Sequence, residues 1–369
     1  MRADPGLARW LQLSLTPALG GTTLRVLLKE FGLPDQVIAL GRAGLARLLP
    51  AAALDELFSE KVARAVERAL QWAAAPGHSV VTLADSAYPK LLLEIADPPA
   101  VLYCVGRTEL LNRPSLALVG SRNATAQGVR DAERFARALS DAGLTIVSGL
   151  ALGVDAAAHR GGIAGRSSTV AVFGNGIDVV YPPRNESLAQ EVGVHGLLIS
   201  EFPLGTPSAR QNFPRRNRVI SGLSQGVLIV EAALGSGSLI TARAAVEQGR
   251  EVFAVPGSIH SPLAKGCHSL IKAGAKLVES ADDILSELTA FRRADSAGAP
   301  SAPVADPDAA GAPAQGSVVL AQMGFEPVDI DSLCSRAGLP ADRVAAELLR
   351  LELDGRIAAL PGGLYQRLH

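Results

Sequence analysis

Apolar positions change their spacing twice along the 369-residue chain, and each change marks an expected boundary between folding units. Through residues 7–75 they recur at helical intervals. Leu24, Val26, Leu27, Leu28 and Phe31 share one stripe, and Leu19-Gly20-Gly21-Thr22 before them reads as a tight turn with Thr22 as N-cap. Helix, glycine turn and helix form a helix-hairpin-helix-like unit. Such a turn can hold a phosphate on its amides, or can be an ordinary corner that contacts protein. From residue 78 short apolar runs alternate with helical segments. Strands are predicted at 116–119, 145–147, 169–173, 197–199, 227–230 and 251–255, with helices such as 126–142 and 238–248 between them. That alternation predicts a parallel sheet with helices on both faces. Ligands of such sheets bind beyond the carboxyl ends of the strands. Gly120-Ser121-Arg122, Ser148-Gly149, Gly174-Asn175-Gly176 and Glu231 should therefore lie along one rim.

The second change comes at residues 294–317, almost wholly Ala, Pro, Gly, Ser and Asp without periodicity, which reads as a flexible linker. Two helices follow at 330–337 and 341–353, then a hairpin of 356–360 and 364–368 around Pro361-Gly362-Gly363. Helix-turn-helix plus hairpin is a winged-helix pattern. Its second helix carries Asp342, Arg343, Glu347 and Arg350, nearly balanced in charge, which favours a protein contact over duplex DNA. The expected division is 1–77 helical, 78–293 parallel α/β, 294–317 linker and 318–369 winged helix.

Charge sharpens this picture at one place. The whole chain carries net charge −1 with a pI near 6.6, yet residues 210–218 hold four arginines and no acid. Positive charge gathered locally suits a phosphate backbone. Arg210, Arg215, Arg216 and Arg218 can grip phosphates, Asn217 lies among them, and Phe213 offers a face for a base. The plain alternative is a solvated arginine loop with Phe213 in the core.

Two turns on the rim look competent to hold anions. Gly120-Ser121-Arg122 follows the first strong strand, with a hydroxyl and a guanidinium near a helix N-terminus. Gly235-Ser236-Gly237-Ser238 runs into Thr241 at the start of another helix. Neither is a dinucleotide fingerprint or a P-loop. Asp155 and His159, four apart, read as a hydrogen-bonded pair on a helix surface, or as an acid–base pair. Lys265 and His268 sit in a loop. No catalytic constellation emerges, and the histidines and the three cysteines (Cys104, Cys267 and Cys334) show no metal spacing or disulfide framework. No cofactor is expected. Arg9 and Trp10 precede any apolar run, and no stretch approaches the roughly 20 residues of a membrane span. The expectation is a cytoplasmic protein without membrane contact.

Several motifs taken together resemble the DprA/Smf family of bacterial DNA-processing proteins. They are 118–122 (LVGSR), 147–159 (VSGLALGVDAAAH), 176–182 (GIDVVYP), 213–224 (FPRRNRVISGLS), 236–242 (SGSLITA) and 255–258 (VPGS). The resemblance is dense over residues 80–290 and looser on both flanks. It implies an extended Rossmann-like core between a SAM-like, helix-hairpin-helix N-terminal domain and a winged helix. It further implies sequence-independent binding of single-stranded DNA, protection of incoming strands in natural transformation, and loading of RecA by a homodimer. Single-strand-binding protein is a further candidate partner, and no catalytic reaction is implied. Arg122, Arg210, Phe213, Arg216, Asn217 and Arg218 match the family's binding motifs, with Ser148, Gly149, Arg184 and Lys265 as outlying candidates. Pro183 follows Tyr181-Pro182 where some relatives carry lysine, and His268 replaces an expected asparagine. A rival reading from the same fold is a nucleotide-processing phosphoribohydrolase, with Glu231 and Arg218 acting on a nucleoside monophosphate. A third is an interaction scaffold worked by the terminal domains.

Overall fold

The computed structural model describes residues 5–288 and 317–368. Six helices open it: α1 (Pro5–Ser14), α2 (Gly21–Phe31), α3 (Pro34–Ala39), α4 (Gly41–Leu45), α5 (Ala51–Leu57) and α6 (Glu60–Ala73). Thr22 does not cap α2, because the helix already begins at Gly21 and Gly20 occupies the N-cap without a side-chain bond. Leu13, Leu24, Leu27, Val37, Leu45 and Leu57 form a small core of their own. Trp10, Leu11 and Ala69 instead pack with Tyr103, Phe173, Ile177 and Leu198 of the following unit. The helical region is thus fastened to its neighbour by shared apolar surface.

Nine strands follow: β1 (His78–Thr82), β2 (Val101–Gly106), β3 (Ser115–Gly120), β4 (Thr145–Ser148), β5 (Thr169–Phe173), β6 (Leu197–Ser200), β7 (Gly226–Val230), β8 (Glu251–Ala254) and β9 (Lys276–Leu277). They form one sheet in the order β1-β2-β6-β5-β4-β3-β7-β8-β9. From β3 to β9 all pairings are parallel, as the alternation predicts. The exceptions are β1 and β2, which extend the sheet antiparallel through Val81↔Leu102 and Tyr103↔Ser200. The connection between those two strands carries only a four-residue helix, α7 (Lys90–Leu93).

The remaining helices of this unit are α8 (Ala126–Asp141), α9 (Val154–Ala164), α10 (Glu186–His195), α11 (Asn212–Leu223), α12 (Ser238–Glu247), α13 (Lys265–Lys272) and α14 (Ala281–Glu287). Side chains of β3 alternate between two cores. Leu116 and Leu118 join Ala132, Ala136 and Leu139 of α8 and Val154 and Ala158 of α9. Ala117 and Val119 face Val219, Ile220 and Leu223 of α11 and Leu239 and Ala242 of α12. From β3 the chain steps outward to β6, then returns to the other side of β3 as β7. The β3/β7 boundary is therefore the switch point of the sheet, where an open α/β fold presents its crevice.

Beyond the main sheet, Ser317 caps α15 (Val318–Gln322) by accepting from Leu320 N. Then come β10 (Val328–Asp329), α16 (Ile330–Ala337), α17 (Ala341–Leu353), β11 (Ile357–Leu360) and β12 (Leu364–Arg367), a winged helix with strand order β10-β12-β11. The expected linker at 294–317 lies outside the described residues, Ser317 excepted. On α17 the guanidinium of Arg350 lies 3.9 Å from Glu347, in keeping with the balanced charge of that helix. Arg130 of α8 donates to the Gly355 carbonyl at 3.2 Å, seating the winged helix on the α8 side. Among the described residues no helix is long and apolar enough to cross a membrane.

The close approach of β3 and β7 yields a stability prediction. A Cβ on Gly120 would stand 1.9 Å from the Val230 carbonyl and 2.8 Å from Val154 Cγ2. Gly120→Ala should cost about 1–3 kcal/mol by overpacking, read as a lower urea midpoint at unchanged m-value.

Candidate nucleic-acid interface

Several helices start along the rim at the carboxyl ends of the strands, and internal carboxylates serve at or just before the starts of α8 and α9. At α8, Glu231 accepts from both the amide and the hydroxyl of Thr125, while Thr125 Oγ1 accepts from Gly128 N at 3.0 Å. Glu231 reaches across the switch point with its own φ at 51°. At α9, Asp155 accepts from Gly149 N at 3.1 Å and Ala151 N at 3.4 Å. The Gly120-Ser121-Arg122 turn consequently differs from expectation. Its helix N-terminus is already satisfied, and Ser121 is buried with Oγ accepting from Asn123 N. What this turn offers outward is the exposed Arg122 side chain.

Helices α11 and α12 carry no acid in the first turn, and their N-cap residues Gln211 and Gly237 make no side-chain bond. The second glycine turn is not a cradle of free amides. Ser238 N donates to Ser236 Oγ, Leu239 N to Ser236 O and Ile240 N to Gly237 O. Gly235 and Gly237 leave open space where a Cβ would project, and Ser236 Oγ lies 2.7 Å from Ser238 Oγ. Thr241 is 1% exposed and belongs to the packing beneath.

Phe213 opens α11 half-buried, its ring edge against Gly174. The Arg122 guanidinium sits 5.3 Å over the ring centroid, and Tyr181 lies beside it at 6.0 Å between centroids. Arg210 and Arg184 are exposed and have neither a hydrogen bond nor an ion pair among the described residues. Arg215 is exposed too, over Phe202 at 5.2 Å. The other two arginines of the run turn inward, contrary to expectation. Arg216, 4% exposed, donates to the Val172 carbonyl at 2.9 Å. A Cβ on Gly149 would fall 1.7 Å from its Nη1, which accounts for glycine there. Arg218 pairs with Glu201 and Asp97 and donates to the Asp97 carbonyl. Asn217 is buried, with Nδ2 3.4 Å from Gly237 O, tying α11 to the α12 turn. Ser148 is fully buried and donates to Leu118 O at 2.7 Å. Lys265 and His268 lie on α13 and not in a loop; Lys265 is held by the Ile259 carbonyl, and His268 donates to Gly257 O at 2.9 Å.

Asp155 and His159 are no surface pair, for both are buried and each holds backbone. His159 Nε2 accepts from Leu150 N at 3.2 Å. Its Nδ1–H donates to Thr169 Oγ1 at 2.8 Å, since that hydroxyl itself donates to the Ile146 carbonyl. Together they pin the 149–151 loop, where Leu150 has φ of 56°. Burial, with Arg216 and Arg160 nearby, pushes the His159 pKa down to about 3. The ring is neutral. Burial also raises the Asp155 carboxyl, against the opposing pull of Arg216. Asn185 adds donors to the Leu150 and Ala151 carbonyls at 2.8 and 3.1 Å. Sequence spacing pointed to neither Asn185 nor Tyr181. The rival pair, Glu231 and Arg218, are each committed to separate internal partners.

Fold and rim define a three-part α/β protein with an arginine- and aromatic-bearing surface where a small-ligand crevice would otherwise lie. The chain belongs to the DNA recombination-mediator protein A family, whose model matches residues 79–289. The DprA winged helix domain matches residues 302–363. Protein Smf of Escherichia coli is 44% identical over 306 residues, spanning 83% of this chain and 81% of that one. The DNA processing protein DprA of Streptococcus pneumoniae is 46% identical over 206 residues, 56% of this chain and 73% of that one. The crystal structure of the pneumococcal protein aligns with TM-score 0.67 at 38% identity, covering 75% of this chain and 95% of that chain. A Helicobacter pylori DNA processing protein A, described for its single-stranded DNA binding mode, aligns at TM-score 0.52 and 32% identity over 57% of this chain and 96% of that chain.

Two outcomes test this arrangement. Arg218→Ala leaves the Glu201 carboxylate, with its side chain 8% exposed, without its main partner. A loss of about 2–3 kcal/mol is expected in urea unfolding, against under about 0.5 for Arg210→Ala. His159 is neutral when folded and titrates near its ordinary pKa of about 6.5 when unfolded. Below pH 6.5 or so the unfolded chain takes up a proton that the folded one refuses until about pH 3. The stability contributed by His159 is full above that window and falls as the pH drops through it. His159→Asn should flatten the difference in unfolding free energy between pH 7 and pH 4.

Proposed function

We propose that this chain binds single-stranded DNA without sequence preference along the rim, protects incoming strands and loads RecA onto them during natural transformation. In this reading it acts in the cytoplasm as a homodimer, with single-strand-binding protein a further partner, and performs no catalytic step. One observation carries it. Phe213 sits half-exposed at the start of α11, a helix with no acid in its first turn, and Arg122 lies over its ring. An aromatic face next to mobile guanidinium groups is the chemistry a flexible, stacked strand needs. Family membership and the Helicobacter pylori relative support the same ligand.

The division of labour follows from burial. Arg122, Arg210, Arg215 and Arg184 would meet phosphates directly, with Phe213 stacking a base and Tyr181 extending the aromatic surface. Ser236, Gly235 and Gly237 would line the path past α12. Arg216, Asn217, Arg218, Ser148, Gly149, Ser121, Ser238 and Thr241 would hold these groups in place from beneath, and Gly120 sets the turn that carries Arg122.

The test is a salt series with a fluorescent oligo(dT) of about 30–40 nucleotides and its matched duplex. Phe213→Ala should weaken single-strand binding by about 1–3 kcal/mol while leaving the salt slope unchanged. Arg122→Ala should reduce that slope by about 0.7, one single-strand phosphate contact. Equal affinity for single strand and duplex, or a Phe213→Ala protein that binds like the wild type, would remove the reading.

A further inference from the structure

Two guanidinium groups share the Phe213 ring. That of Arg122 stands 5.3 Å from the ring centroid and that of Arg216 5.9 Å. Their restraints are opposite. Arg216 is buried and donates to the Val172 carbonyl at 2.9 Å, which holds it in place. Arg122 is exposed and makes neither a hydrogen bond nor an ion pair among the described residues. Its backbone is nonetheless fixed. Val154 N donates to Ser121 O at 3.1 Å, and a Cβ on Gly153 would stand 2.7 Å from the Arg122 carbonyl oxygen. Any movement of Arg122 is therefore a turn of its side chain, off the ring or back onto it. Burial lowers the Arg216 pKa, Asp155 opposes that, and Arg122 adds to the lowering. The two cations thus repel each other beside a ring that attracts both. At 5.3 Å the Arg122 guanidinium also fills the distance at which a stacked base would put its own ring.

We propose that Arg122 is a clasp on Phe213 that a strand phosphate opens: the phosphate draws the guanidinium off the ring, and the base beside that phosphate takes the vacated face. The proposal rests on the single-strand reading above and adds an order of events to it. A cation over an aromatic ring at an exposed site is worth a factor of about 2–5 in an equilibrium constant. A base arriving alone must overcome that factor. A phosphate replaces the ring contact with charge-assisted hydrogen bonds, which are stronger, and it also ends the repulsion between Arg122 and Arg216. The ligand class follows: base and phosphate on one backbone. A nucleoside meets a closed ring, and a polyanion without bases meets an arginine that the ring holds back. The site stays sequence-tolerant, because every base has a π-face.

Phe213→Leu keeps apolar bulk against Gly174 and removes the ring. Its binding of an abasic phosphate strand, which has nothing to stack, is compared with that of the wild type. With Arg122 released, the variant should bind the abasic strand about 2–5-fold more tightly, although it binds oligo(dT) of equal length more weakly. The gain should persist in an Arg210→Ala background and vanish in Arg122→Ala. Thymidine alone, followed by ligand-observed NMR, should bind Arg122→Ala more tightly than the wild type. Abasic binding that Phe213→Leu leaves unchanged or weakens overturns the proposal, as does a gain that survives Arg122→Ala. Should Phe213→Leu fail to fold, the thymidine comparison decides alone, and no tighter binding to Arg122→Ala overturns the clasp. Tripolyphosphate separates the clasp from the reading beneath it. If the wild type binds no strand yet Phe213→Leu holds tripolyphosphate more tightly than the wild type does, the clasp stands and the single-strand reading falls. Oligo(dT) bound by the wild type, with no gain on either base-free polyanion, removes the clasp and keeps that reading.

Discussion

A guanidinium buried beneath the rim governs the geometry of everything above it. Arg216 is an ion in the protein interior, and burial alone would make it costly. Its compensation comes from three directions: the Val172 carbonyl at the end of β5, the Asp155 carboxylate at the start of α9, and the Phe213 ring 5.9 Å away. Desolvation draws its pKa down only to about 10, so the charge persists at neutral pH. Because each of those groups belongs to a different element, Arg216 fixes the start of α11 against β5 and the 149–151 loop at once. It also places positive charge under Phe213 without a flexible side chain in solvent.

A second chain of charges links this helix to the N-terminal region. Arg25 of α2 pairs with Asp97, Asp97 lies 3.7 Å from Arg218, and Arg218 pairs with Glu201. The helical region, the loop before β2, the end of β6 and α11 are thereby joined through side chains as well as through the apolar cluster around Trp10 and Tyr103. The N-terminal helices are thus a wall of the same surface. Half of the arginine run serves this internal wiring, and the other half is left for solvent.

Much of the parallel sheet was legible because buried parallel strands advertise themselves as short apolar runs separated by helices. The winged helix was legible in the same way, its two helices matching 330–337 and 341–353. The antiparallel β1 and β2 were not, since pairing between residues 81 and 102 leaves no periodic mark in the sequence. At the rim, composition located α11 and its aromatic. It did not reveal which arginines face inward, because that depends on acids at positions 97, 155 and 201, remote in the chain. Asp155 and His159 showed how a correct spacing can mislead: both sit on α9, yet each bonds to the loop before it. Family motifs picked out stretches that the fold brings to one rim, without separating exposed side chains from inward-facing ones.

Glu231 gives the fold an unusual economy. In open α/β sheets the switch point is where a free nucleotide settles, its phosphates at the helix that follows the first strand. Here a carboxylate from the end of β7 occupies that helix start permanently, binding Thr125 as an anionic ligand would. The protein carries its own competitor. The groups that would meet a phosphate at that helix start are already engaged within the protein. What remains open on the rim is the exposed guanidinium groups of Arg122, Arg210 and Arg215 and the half-buried ring of Phe213.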